Sequence, residues 1–94
     1  MEPLPKWKDT VYEAIHLERV RIYLKYTGLG NPLPVRSPDD PFWLPVLIED
    51  VEEVAKSLRG KEDLEHLRKE LIKVAALAAD WIDAVDCEIE RTGF

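Results

Sequence analysis

From Asp63 to Arg91, apolar residues recur at Leu64, Leu67, Leu71, Val74, Ala75, Ala78, Trp81, Ile82, Val85 and Ile89. That is the three-and-four spacing of one α-helix face. At 1.5 Å per residue the predicted helix is about 43 Å long. A compact domain of 94 residues has a radius of gyration of only about 12 Å, so one helix of this length projects beyond a compact monomer. Its middle, LIKVAALAAD, is apolar on nearly every side and carries Ala75, Ala76, Ala78 and Ala79. Such a segment is buried from several directions, and two shorter helices can hardly cover it. The expectation is a homo-oligomer in which the long helices form a shared bundle core. The competing expectation is a monomer with a frayed C-terminal end.

Two shorter helices are predicted upstream. Lys6–Tyr26 begins with an apolar face at Trp7, Val11, Ala14 and Ile15 and continues less regularly through Leu17, Val20, Ile22 and Leu24. A second helix over residues 42–59 places Leu44, Leu47, Ile48, Val51, Val54, Ala55 and Leu58 on one face. Asp40-Pro41 offers an N-cap acid followed by a first-turn proline. Pro45, which removes a backbone donor, points to a start nearer Phe42 or to a bend. Gly60 suits a left-handed C-terminal cap. Between these helices, TGLGNPLPVRSPDD holds two glycines and three prolines and reads as a loop over residues 27–41, able to lie over a pocket with Arg36 or simply to turn the chain back. No β-branched alternation bounded by turn signals appears. The expected fold class is all-α: one domain over 1–94, with helices at about 6–26, 42–59 and 63–91 forming a bundle completed by oligomerisation.

Charge and composition remove several function classes. A net charge of −6 argues against a nucleic-acid polymer, which needs a basic surface. It leaves room for a single nucleotide. The lone Cys87 can make neither an intramolecular disulfide nor a cysteine zinc site. MEPLPKWKD lacks an apolar signal core, and no apolar run approaches the ~20 residues of a membrane span. The expected location is the cytoplasm, without membrane contact.

The residues with chemical potential are acidic. On the second helix Glu49, Asp50 and Glu53 fall within a sector about 100° wide, nearly opposite the apolar stripe. Like charges at this spacing cost a few tenths of a kcal/mol per pair unless a cation sits among them. Solvent and salt meet that need more cheaply than a divalent ion does, since an acidic patch on a helix is usually a wet face. On the long helix Glu70 lies about 80° from the centre of the stripe, where a carboxylate can face a neighbouring helix. If the helices pack antiparallel across the Gly60 turn, Glu70 stands about as far from the turn as Glu49–Glu53. Carboxylates from facing helices are how bundles build oxygen-ligand metal sites, and oxygen ligands alone favour Mg2+ or Mn2+. Arg21 and Lys25, four residues apart, share a face of the first helix. They are either solvated surface, with Glu18 as an available partner, or cations aimed at phosphate.

This order of residues resembles the MazG-like all-α nucleotide pyrophosphohydrolases, whose pattern is EExxE followed by ExxD. The first part stands here as Glu49-Asp50-Val51-Glu52-Glu53 and the second as Glu70-Leu71-Ile72-Lys73. The likeness extends to Glu18, Arg19, Arg21 and Lys25, to Trp43-Leu44, Val54-Ala55-Lys56 and Leu58, and to His66-Leu67-Arg68 and Val74-Ala75-Ala76. It is closest to small single-domain members. The resemblance implies a Mg2+- or Mn2+-dependent enzyme that cleaves a nucleoside triphosphate between the α and β phosphates, giving a monophosphate and pyrophosphate. It implies Glu49, Asp50, Glu53 and Glu70 as metal ligands, with Glu49 and Glu53 placed to orient or deprotonate the water. Arg21, Lys25 and Lys73 become phosphate contacts, and Trp43 a base-stacking or packing residue. A homodimer or homotetramer is implied as well.

Two departures qualify this. Asp50 shortens one ligand by a methylene. Lys73 stands where the second aspartate belongs, so it removes an anionic ligand and adds an ammonium. That ammonium either takes a cation's place, leaving a catalytically impaired nucleotide- or protein-binding oligomer, or contacts phosphate in a one-metal enzyme. Asp80 is no substitute, lying about 15 Å further along the helix axis.

Overall fold

A computed structural model of the chain describes residues 9–27 and 36–93. Among these residues there are three α-helices and no strand: α1 Asp9–Thr27, α2 Trp43–Arg59 and α3 Leu64–Thr92. The predicted turn from Lys6 to Lys8 and the stretch 28–35 of the predicted loop lie outside the described residues. α1 and α2 both pack against α3 and not against each other. The long helix is therefore a spine, with its two partners on different sides. The radius of gyration is 15.6 Å, well above the ~12 Å of a compact chain of this length.

The helix ends follow from local chemistry. Asp40 accepts from the Phe42 amide at 2.8 Å through its side chain and from the Trp43 amide at 3.3 Å through its carbonyl, so it organises the turn that leads into α2. Phe42 already has helical dihedrals (φ −67°, ψ −41°), and α2 runs on from Trp43. Pro45 becomes the third helical residue, where an amide has no intrahelical acceptor, so its missing donor costs nothing. α2 closes differently from the expectation. Gly60 has φ −78°, and the left-handed residue is Lys61 at φ 52°. The amides of Gly60, Lys61 and Glu62 bond back to the carbonyls of Lys56, Leu58 and Ser57, which puts the reversal one residue later than the glycine. Asp63 then caps α3, accepting from the His66 amide at 2.8 Å. Gly93, at φ 79°, ends it.

The core is thin. Among the described residues, Trp43, Ala76 and Leu77 are the buried apolar ones, and no large side chain is completely shielded. Trp43 of α2 stacks on Trp81 of α3 with ring centroids 5.9 Å apart and planes within 6°. Such a pair is worth about 0.5–1.5 kcal/mol beyond its area. Each indole N–H also finds a carbonyl, Trp43 to Ser37 at 2.9 Å and Trp81 to Pro38 at 2.8 Å. Two tryptophans thus tie the segment before α2 onto α3. On the α1 side the fastening is ionic. Arg19 donates to Asp80 at 2.6 Å and also to Asp83, one turn further along α3.

Candidate functional site

Because α1 and α2 sit on different sides of α3, an open cavity of about 730 Å³ lies between them. α3 forms its floor through Lys73, Leu77, Asp80 and Ala84. α1 contributes Arg19, Arg21 and Lys25, and Arg36, Phe42, Val46 and Asp50 close the other wall. The size is that of a small-ligand site. Apolar side chains such as Val46, Leu77 and Ala84 share the lining with charged ones.

The acidic residues separate into two groups. Asp50 of α2 and Glu70 of α3 face the helix–helix boundary, and Glu70 is buried, with 7% of its surface exposed. Its Oε1 lies 3.4 Å from Lys73 Nζ and 3.8 Å from His66 Nε2. His66 is itself 3.0 Å from Glu62. Burial raises the Asp50 carboxyl above the ordinary aspartate range. The Lys73 ammonium pulls it back down, and the charges of Glu70, Glu49 and Glu18 push it up again. Charges from all three helices, those of Glu18, Glu49, Glu70 and Lys73, therefore reach Asp50. Glu49 and Glu53 instead lie on the exposed side of α2, where Glu53 pairs with Lys56 at 3.1 Å. The facing-helix arrangement read from the spacing thus puts Asp50 within the electrostatic reach of Glu70 and leaves Glu49 and Glu53 exposed, outside the cavity lining.

The proposed phosphate contacts also divide. Arg21 lines the cavity, but its guanidinium is engaged by Glu18 at 2.6 Å. Lys25 and Lys73 line the cavity as well. Trp43 is buried against Trp81 with its N–H used, so it acts as a packing residue. Arg36, on the segment leading into α2, lies 3.8 Å above the Phe42 ring and 3.9 Å from Asp40. A guanidinium held over an aromatic face keeps its edge free for an anion.

The Arg19–Asp80–Asp83 cluster does not emerge from sequence spacing. Helical wheels place residues around one axis and give no register between α1 and α3. The signal available was an unmatched pair of aspartates three apart on a largely apolar helix. Their engagement by Arg19 takes Asp80 out of the ligand set.

Magnesium commonly binds one or two protein carboxylates, with water and substrate phosphate oxygens completing its shell. Asp50 and Glu70 match that donor chemistry. Among the described residues no group of three histidine, cysteine, aspartate or glutamate side chains is placed to hold a metal ion. The fit is therefore to an ion arriving with a phosphate ligand, not to a caged structural ion. Compared with known protein families, characterised proteins and solved structures, the chain finds no match.

Proposed function

We propose that this protein is a nucleoside triphosphate pyrophosphohydrolase of the MazG-like type, acting as a homodimer or homotetramer and releasing a nucleoside monophosphate and pyrophosphate. The observation that carries the reading is that Asp50 lines a cavity together with Arg21, Lys25, Arg36 and Lys73, and that the charges of Glu70 and Lys73 on the facing helix reach it. In this reading Asp50 and Glu70 hold Mg2+ or Mn2+ together with the substrate phosphates, and Glu49 and Glu53 supply further negative charge from the exposed side of α2. The metal, when bound, screens phosphate charge and acidifies a water. Lys25, Arg36 and Lys73 neutralise the polyphosphate. The apolar side chains of the lining, Val46, Leu77 and Ala84, take the base.

Incubating the pure protein with ribo- and deoxynucleoside triphosphates and Mg2+ or Mn2+ tests the proposal. Pyrophosphate release from at least one is the expected outcome, and none from any overturns it. The contact between Lys73 and Glu70 favours a second reading, a catalytically impaired nucleotide- or protein-binding oligomer in which the ammonium stands in for a metal ion. If Lys73→Asp creates activity that the parent lacks, this second reading gains. If it lowers a measurable activity, the enzyme reading gains.

A further inference from the structure

α1 rests on α3 with an open space beside each of its halves. The C-terminal half, from His16 to Lys25, walls the cavity of about 730 Å³. The N-terminal half borders an apolar groove of about 330 Å³, where Val11 and Ile15 of α1 face α3 residues that include Leu64, Leu71 and Ala75. At about 100° per residue, the α3 residues of the groove and those of the cavity centre on nearly opposite sides of that helix, about 160° apart. α1 therefore crosses α3 obliquely, between the two spaces. Arg19, midway along α1, holds the crossing through Asp80 and Asp83. Elsewhere α1 is loosely seated. None of its residues 9–25 is buried, whereas α2 buries Trp43 and Ser57 and α3 buries Glu70, Ala76 and Leu77. Across the cavity it makes no packing contact with α2.

We infer that α1 is a movable wall that closes over a bound polyphosphate by rotating about the Arg19 tie. The oblique crossing lets one movement shut both spaces. A rotation that carries Lys25 toward α2 carries Val11 and Ile15 the other way, over Leu64 and Leu71. That end of the movement takes apolar surface out of water, which favours it. Charge at the other end decides when it happens. In the cavity lining, Arg19 is matched by Asp80 and Asp83, and Arg21 by Glu18. Lys25, Arg36 and Lys73 then stand against the carboxyl of Asp50. Bringing Lys25 toward Arg36 and Lys73 is repulsive by itself and attractive with a polyanion between them. The open and closed positions thus differ in their affinity for such an anion, which is what a ligand-driven shift requires. Closure rests on the cavity being a polyphosphate site, the reading proposed above, and not on cleavage of the ligand.

Two measurements on the full chain with inorganic tripolyphosphate and Mg2+ test this. In the first, spin labels at Leu24→Cys of α1 and Leu44→Cys of α2 report the distance between the two walls. Both residues are exposed and outside the cavity lining. The labels are placed in a Cys87→Ser background and diluted with unlabelled chain. Double electron–electron resonance should show the distance shortening by about 3 Å or more when tripolyphosphate is added. In the second, calorimetric titration compares the parent with Ile15→Asn and Ile15→Val. Ile15 lines the groove and not the cavity, about 15 Å along α1 from Lys25. The asparagine makes closure bury an amide among apolar side chains, so tripolyphosphate should bind about tenfold more weakly. The valine should stay within about threefold of the parent. Far-UV circular dichroism confirms that each variant remains helical. Binding without a shortened distance, or Ile15→Asn binding as tightly as the parent, overturns the inference and leaves the polyphosphate reading standing. No binding to the parent overturns both. Binding with closure but without hydrolysis leaves the movable wall standing and counts only against the enzyme reading.

Discussion

Lys73→Met probes the centre of the candidate site. Glu70 is buried, and its closest cation is Lys73 Nζ at 3.4 Å. At that distance, an effective dielectric constant of about 20 gives a gross attraction of about 5 kcal/mol. The Lys73 side chain is 44% exposed, so solvent screens most of this, and a net loss of about 1–2 kcal/mol is expected. For a domain of this length each kcal/mol shifts Tm by about 4–8 °C, so the expected fall is about 5–15 °C at pH 7. The pH dependence provides a sharper check. Lys73 is the one influence that lowers the Asp50 carboxyl, so its removal pushes that carboxyl further above its unfolded value. A carboxyl raised by folding contributes stability below its unfolded pKa and loses it as pH rises through the folded pKa. The deficit of Lys73→Met should therefore be smaller at pH 4 than at pH 7. Thermal melts by circular dichroism at both pH values measure it. A deficit under about 2 °C at pH 7, or one equal at both pH values, refutes the reasoning.

Asp50→Asn removes a carboxyl whose folded pKa is raised by burial. It should raise Tm at pH 7, with the gain vanishing as pH falls toward the ordinary value of 3.8, and it should weaken Mg2+-dependent nucleotide binding in calorimetric titrations. Arg19→Met cuts the tie from α1 to Asp80 and Asp83. Hydrogen exchange should show α1 amides losing protection about tenfold or more while the α2–α3 pair holds; uniform loss would mean that the three helices open as one unit. Asp63→Ala deletes the α3 cap at the His66 amide and should cost about 1 kcal/mol in urea unfolding, with an unchanged m-value.

The residues legible in advance were those whose role depends on one helix at a time. The α3 period, the Asp63 cap and the position of Glu70 beside its stripe all follow from local spacing. Glu70 falls within electrostatic reach of Asp50 because a short turn joins their helices and leaves little freedom in pairing them. What stayed hidden depends on register between helices. Nothing in the spacing of Trp43 and Trp81 announces a stack, and nothing in Arg19 announces Asp80. The left-handed residue at the end of α2 fell on Lys61 because the back-bonding amides reach past Gly60. Glu49 and Glu53 share a sector with Asp50, yet at about 100° per residue only Asp50 turns far enough toward α3 to be partly buried. The exposed apolar side of α3 is the structural counterpart of the many-sided apolar run LIKVAALAAD.

The central claim is that Asp50 and Glu70 serve cleavage between the α and β phosphates. Phosphorus-31 NMR of a nucleoside triphosphate panel with Mg2+ follows that bond directly, using the parent and Glu70→Gln. Pyrophosphate and monophosphate should appear together with the parent, with the rate falling at least about a hundredfold in Glu70→Gln, about 2.7 kcal/mol of transition-state stabilisation. Orthophosphate as the product, an unchanged spectrum, or an undiminished rate in Glu70→Gln would contradict it.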